Sequence, residues 1–125
     1  MSATNRTSIG VKRIYDPPSP EDGVRILVDR LWPRGISKER SAVDEWMKEI
    51  APSPELRTWF GHRPERFAEF SEKYERELKE DPIRRQLADR ILDMAVHRQV
   101  TLLYAAKDPV HNHAVVLQRW LGRRE

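Results

Sequence analysis

The sequence predicts a small layered α/β domain, a short mixed or parallel sheet of three to four strands packed by helices. Three observations carry that expectation. Residues 24–31 and 100–106 hold apolar side chains on both strand faces, as strands buried on both sides do. Residues 64–98 between them show helical spacing instead. Two buried strands separated by helices imply at least some parallel pairing, because parallel neighbours need a long crossover.

The elements follow in order. Ile9 and Val11, then residues 12–15, alternate in the manner of a strand, after a polar stretch over residues 1–8 that reads as a disordered tail. Residues 16–23 contain three prolines and a glycine, so a loop is predicted. In the strand over residues 24–31, Ile26, Val28 and Arg30 share one face, and Leu27, Asp29 and Leu31 the other. Pro33 and Gly35 end it: proline has no N–H for a ladder, and glycine accepts a positive φ.

Ser37 is placed to cap a helical turn through Arg40. Residues 43–50 fit either a short helix or an edge strand. Ser53-Pro54 starts a helix with Leu56, Trp59 and Phe60 inward, ending at Gly61. Phe67, Phe70, Tyr74 and Leu78 mark one stripe of a helix over residues 64–79, whose acidic remainder reads as a solvated face. Asp81-Pro82 restarts the pattern, with Ile83, Leu87, Ile91 and Met94 on one face to about Arg98. After the strand at 100–106, Asp108 and Asn112 offer caps for a last helix. Ala114, Leu117, Trp120 and Leu121 face inward there, and Gly122 is expected to stop it. One domain over residues 9–122 with a basic tail at 123–125 results.

With 125 residues there is room for one core and not for two. The chain has no cysteine, which removes disulfides, zinc-thiolate sites, iron-sulfur clusters and cysteine nucleophiles. No apolar run approaches membrane-spanning length, and residues 1–8 lack the apolar stretch of a secretory signal, so a cytoplasmic protein without membrane partners is expected. The net charge is +3, but 23 basic and 20 acidic residues are interleaved, so the overall field is weak. There is no glycine-rich phosphate loop, and no cofactor is expected.

Several segments together resemble one family. They are Lys12-Arg13-Ile14-Tyr15-Asp16-Pro17, Gly23-Val24-Arg25-Ile26-Leu27-Val28-Asp29-Arg30-Leu31-Trp32-Pro33-Arg34-Gly35, Glu45-Trp46, Ala51-Pro52-Ser53, Glu55-Leu56-Arg57, Tyr74 with Glu77-Leu78, Thr101-Leu102-Leu103-Tyr104-Ala105-Ala106-Lys107-Asp108 and Asn112-His113-Ala114. The chain is similar through them to the YeaO-like branch of the domain-of-unknown-function 488 family, from residue 11 to residue 121. The resemblance implies a small bacterial cytosolic protein and no established reaction. Some relatives carry labels such as transcriptional regulator or porphyrin methyltransferase. The missing cofactor loop and the two buried strands support neither.

In open α/β sheets ligands gather outside the carboxyl ends of the strands. Two loops qualify, residues 32–38 and 107–113. On the first side stand Arg30, Trp32, Arg34 and Lys38: guanidiniums bind an anion bidentately while an indole stacks on a flat ring. The alternative is that Arg30 pairs internally, Trp32 fills core volume and Arg34 is solvated. On the second side stand Tyr104, Lys107, Asn112 and His113, with Asp108 and Asn112 equally explicable as caps.

Asp29 reads either as a general base or ligand-orienting acid, or as a structural partner of a nearby arginine or amide. His113 is the other candidate acid or base. Ser53 and Arg57 form a possible anion contact at a helix start, against simple capping by Ser53. His111 and His113 have no acidic cluster beside them, so a metal is not expected.

The leading expectation is a pocket for an anionic small molecule, phosphorylated or nucleotide-like, formed by both loops and used for binding or as an enzyme's site. A second is a nucleic-acid-binding module using Lys12, Arg13, Arg25, Arg34, Arg123 and Arg124. A third is a non-enzymatic interaction protein. The first requires the two loops to be neighbours in space.

Overall fold

The computed structural model describes residues 9–124. Among them four strands form one sheet: β1 (Ile9–Arg13), β2 (Val24–Leu27), β3 (Glu45–Trp46) and β4 (Val100–Tyr104), in the order β1-β4-β2-β3. Every pairing is parallel, and Leu102 sits opposite both Val11 and Ile26. The helices are α1 (Lys38–Ser41), α2 (Pro54–Phe60), α3 (Phe67–Glu80), α4 (Pro82–His97) and α5 (His113–Arg124). The chain is therefore a small α/β domain with a wholly parallel sheet.

The alternation of strand side chains divides the apolar residues into two layers. Ile26, Val28, Leu102 and Tyr104 face the larger core, which they share with α2 to α5 through Phe60, Phe70, Tyr74, Leu78, Ile91, Leu117 and Leu121. Leu27 and Leu103 face the other way, with Ile14, beneath Trp32, Ile36, Val43 and Trp46. Helices thus cover one face, and an irregular segment with the single turn of α1 covers the other. Both central strands, β2 and β4, are buried at every residue.

Several helix starts follow the sequence signals. Ser37 accepts from the Arg40 N–H at 3.1 Å, Ser53 from Leu56 at 3.2 Å, and Asp81 from Arg84 at 3.1 Å. Gly61 closes α2 in the left-handed region. The ambiguous stretch at 43–50 resolves into the two-residue edge strand β3 and a 3-10 turn at Lys48–Ile50.

Several expectations require correction. The second strand ends at Leu27, not Leu31: Val28 makes one more bond to the Leu103 carbonyl, and then the Asp29 carbonyl accepts from the Trp46 indole at 2.7 Å. Leu31 is consequently 63% exposed. On α4 Ile91 is buried and Leu87 and Met94 pack partly buried against the core as expected, but Ile83 is 55% exposed, and Ala88 and Ala95 complete the buried line. Gly122 does not stop α5, which continues to Arg124. Arg123 and Arg124 sit in its last turn, paired with Glu75 and Asp89.

The acidic side of α3 is also more than a solvated face. Glu77 accepts from both the backbone N–H and the hydroxyl of Ser53, at 2.9 and 2.6 Å.

Candidate functional site

The carboxyl ends of β2 and β4 meet at one hydrogen bond. Asp29 follows β2 and its Oδ2 accepts from the Ala105 N–H, just beyond β4, at 3.1 Å. The segments that lead into the two loops are therefore neighbours at Asp29 and Ala105, but residues 32–38 do not line the space between them. A cavity of about 630 Å³ opens there, between the strand ends, α2 and the start of α5. Its lining includes Asp29, Arg30, Arg57, His62, Lys107, Asp108, Asn112 and His113 among polar side chains, with Phe60 and Phe70 buried behind them.

Each polar group is held differently. The Asp29 carboxylate is pinned by Ala105, and its other oxygen lies 3.1 Å from His113 Nε2. That nitrogen is also 3.0 Å from the Val28 carbonyl oxygen. A carbonyl only accepts, so Nε2 carries the proton and directs it to Val28. Asp29 Oδ1 is left buried without a hydrogen bond of its own, its contact with the imidazole being electrostatic. The ring is steadied further by Tyr74, edge-on at 6.2 Å. The Tyr74 hydroxyl donates to the Ile50 carbonyl at 2.7 Å, and burial pushes its pKa up.

Arg30 is loosely held. One terminal nitrogen lies 3.5 Å from the carbonyls of both Ala51 and Pro52, and Nε is buried with no partner. Arg57 and Lys107 are exposed on the rim.

Asp108 and Asn112 organise the turn before α5. Asp108 Oδ1 accepts from the N–H groups of Val110 and His111, and Oδ2 lies 2.8 Å from His111 Nδ1. The Val110 N–H and the His111 contacts hold the Asp108 carboxyl down at about 2, so it is ionised at neutral pH. Asn112 caps α5, accepting from the Val115 N–H at 3.0 Å while its amide donates to the Asp108 carbonyl.

The structure gathers Asp29, Arg30, Arg57, Lys107, Asn112 and His113 around the cavity. It places the other candidates elsewhere. Trp32 lies in the smaller apolar layer, its indole donating to the Ile36 carbonyl at 2.7 Å and packing edge-on against Trp46 at 5.4 Å. Lys38 sits over the Trp32 ring at 5.7 Å. Arg34 is exposed, and its carbonyl accepts from the Tyr15 hydroxyl. The turn at Arg34-Gly35, with Gly35 at φ 78°, folds this segment over the opposite sheet face. The expectation that Arg30, Trp32 and Arg34 share one side rested on an extended strand, and the strand stops too early for that.

Tyr104 points into the larger core, 4% exposed, and burial raises its pKa. Ser53 is engaged by Glu77 and its capping bond, and lines a shallower groove beside Trp59. His62, Phe60 and Phe70 line the cavity unanticipated. Phe60 and Phe70 read correctly as inward helix residues, and no sequence signal says that they also border a cavity.

Part of the basic set expected to contact nucleic acid is engaged internally, whereas Arg34 is exposed. Lys12 and Arg25 both bind Asp22, and Arg13 donates to the Ala106 carbonyl at 2.9 Å. Among the described residues no helix is long and apolar enough to cross a membrane.

Comparison with known proteins agrees on one family. The chain is 50% identical over 114 residues to the uncharacterized protein YeaO of Escherichia coli (strain K12), covering 91% of this chain and 96% of that protein. It is 41% identical over 118 residues to the uncharacterized protein Rv3073c of Mycobacterium tuberculosis (strain ATCC 25618 / H37Rv), covering 94% and 97%. The uncharacterized protein Mb3100c of Mycobacterium bovis has the same identity and coverage. No solved structure matches. Residues 8–124 match the family profile described as the inactive DUF488-N3 subclade, so the chain belongs to the DUF488 family, in that subclade.

Proposed function

We propose that this protein binds a small organic anion in the cavity at the ends of β2 and β4, and holds it without turnover. The observation that carries the reading is the cavity itself. Its volume of about 630 Å³ suits a small ligand, and three cationic side chains border an apolar interior. A guanidinium with an unpaired buried nitrogen beside that space is a donor in want of an acceptor. The name of the subclade, inactive, accords with binding rather than catalysis. So does His113, whose Nε2 proton is committed to a backbone carbonyl. The ion pairs of Lys12, Arg25, Arg123 and Arg124 give the nucleic-acid alternative less to work with.

A thermal-shift panel of carboxylates, phosphates and nucleotides at constant ionic strength tests the reading. A ligand at a hundred times its Kd adds about 2.7 kcal/mol of stability, on the order of 10 °C in Tm for a domain of this size. Arg57→Ala and Lys107→Ala should each lose most of that shift, and Arg34→Ala should keep it. If Arg34→Ala alone abolishes the shift, or no anion produces one, the proposal is wrong.

A further inference from the structure

The charges around the cavity say more about the ligand, on the reading that the cavity binds an anion at all. Arg30, Arg57 and Lys107 face inward or rim the space together with two carboxylates, Asp29 and Asp108. Three cations against two carboxylates leave one net positive charge. Neither carboxylate is free to turn away. Asp29 is anchored by the Ala105 N–H, and Asp108 by the N–H groups of Val110 and His111.

The carboxylates do not quench the cations directly either. Asp29 lies against His113 and Asp108 against His111, while Arg57 and Lys107 have no ion-pair partner among the described residues. A polyphosphate would therefore bring several negative charges toward two fixed ones, with a net of one positive charge to receive them.

The rest of the lining is apolar. Phe60 and Phe70 stack with centroids 4.3 Å apart, and Pro52, Ala105 and Ala106 lie nearby. Leu31 stands at the cavity 63% exposed, an apolar side chain with nothing yet to cover. An apolar body bound there removes both its own surface and that of Leu31 from water.

We infer that the ligand is an apolar monocarboxylate, an aromatic or branched aliphatic body carrying a single negative charge, rather than the phosphorylated or nucleotide-like molecule that the basic residues alone suggest. The carboxylate pairs with Arg57 or Lys107 at the rim or with Arg30, and the apolar body lies against Phe60, Phe70 and Leu31.

Isothermal titration of the full chain with acetate, benzoate, 2-naphthoate, inorganic phosphate and adenosine monophosphate tests this. From benzoate to 2-naphthoate the Kd should fall about ten-fold, as the extra ring buries roughly 50 Å² more apolar surface. Phosphate and the nucleotide should bind at least ten-fold more weakly than 2-naphthoate. Asp108→Asn keeps an acceptor for the Val110 and His111 N–H groups and removes one charge, so it should tighten nucleotide binding about ten-fold. If phosphate or the nucleotide binds more tightly than 2-naphthoate, and Arg57→Ala abolishes that binding, the ligand class inferred here is wrong while anion binding stands. If none of the five binds, both are wrong.

Discussion

Arg25→Met is expected to lower the unfolding free energy by about 3 to 5 kcal/mol, as removing one partner of a buried ion pair generally does. Arg25 is 3% exposed although it carries a full charge. Its guanidinium reaches Asp22 at 2.5 Å, the Ser41 carbonyl at 2.9 Å and the Ala42 carbonyl at 3.1 Å. One side chain thereby ties the loop before β2 to the end of α1, across the sheet face that has no helix layer. Methionine fills similar volume, so the loss reports the two carbonyls left without a donor and an Asp22 carboxylate left with Lys12 as its one cation, rather than a cavity. Urea denaturation at pH 7 measures it, and a loss below about 1 kcal/mol, the range of exposed pairs, would show that the cluster is a surface pair in energetic terms.

The same cluster sets an acid limb. Burial alone raises the Asp22 pKa, but the Ser19 N–H and the bonds from Lys12 and Arg25 outweigh it, and the carboxyl lies below its ordinary 3.8. Its folded pKa is thus depressed relative to the unfolded chain. The stabilisation is fully present above about pH 4, where the unfolded carboxyl is also ionised. It is lost as pH falls through the folded value. Asp22→Asn should be less stable than the parent at pH 7, and the difference should shrink steadily below pH 4. A difference that stays constant to pH 2 would show that Asp22 carries no such linkage.

Gly23→Ala, one residue away, is expected to cost about 3 to 5 kcal/mol through strain and overpacking together. Gly23 has φ 66° and ψ −132°, a conformation that side chains disfavour. A Cβ there would lie 2.1 Å from the Gln99 carbonyl oxygen. That oxygen accepts the Val24 N–H at 2.8 Å, at the start of the β2–β4 ladder. The clash can be relieved only by opening the ladder where it begins. Amide exchange should show Val24 losing protection first, together with a lower urea midpoint. Unchanged protection at Val24 would contradict the argument. Because Gly23 and Arg25 act on the same corner, the double variant should lose less than the sum of the two.

Both changes fall at the amino ends of the strands, whereas the cavity lies at their carboxyl ends. A parallel sheet enforces this separation: every strand starts on one side and releases its chain on the other. The amino ends here carry a closed polar cluster in which Asp22 also accepts, through its carbonyl, from the Thr101 hydroxyl at 2.8 Å. The carboxyl ends carry unpaired donors and acceptors beside open space. One end fixes the fold, and the other opens onto the cavity.

The sequence by itself determined the α/β class, the buried strands at Ile26 and Leu102, the helix starts at Ser37, Ser53 and Asp81, and the end of the sheet at which a cavity opens. These follow from short-range physics, namely side-chain periodicity, missing N–H groups and local hydrogen bonds. Only the tertiary structure decided where β2 stops, because Asp29 leaves the ladder for the Trp46 indole and the Ala105 N–H, partners 17 and 76 residues away. That departure separates Arg30, which joins the cavity, from Trp32 and Arg34, which pass to the other face. Likewise, nothing local distinguishes Arg25, charged and buried, from Arg34, charged and exposed. Burial of a charge depends on which carboxylate and carbonyls the fold delivers to it, and those arrive from distant positions in the chain.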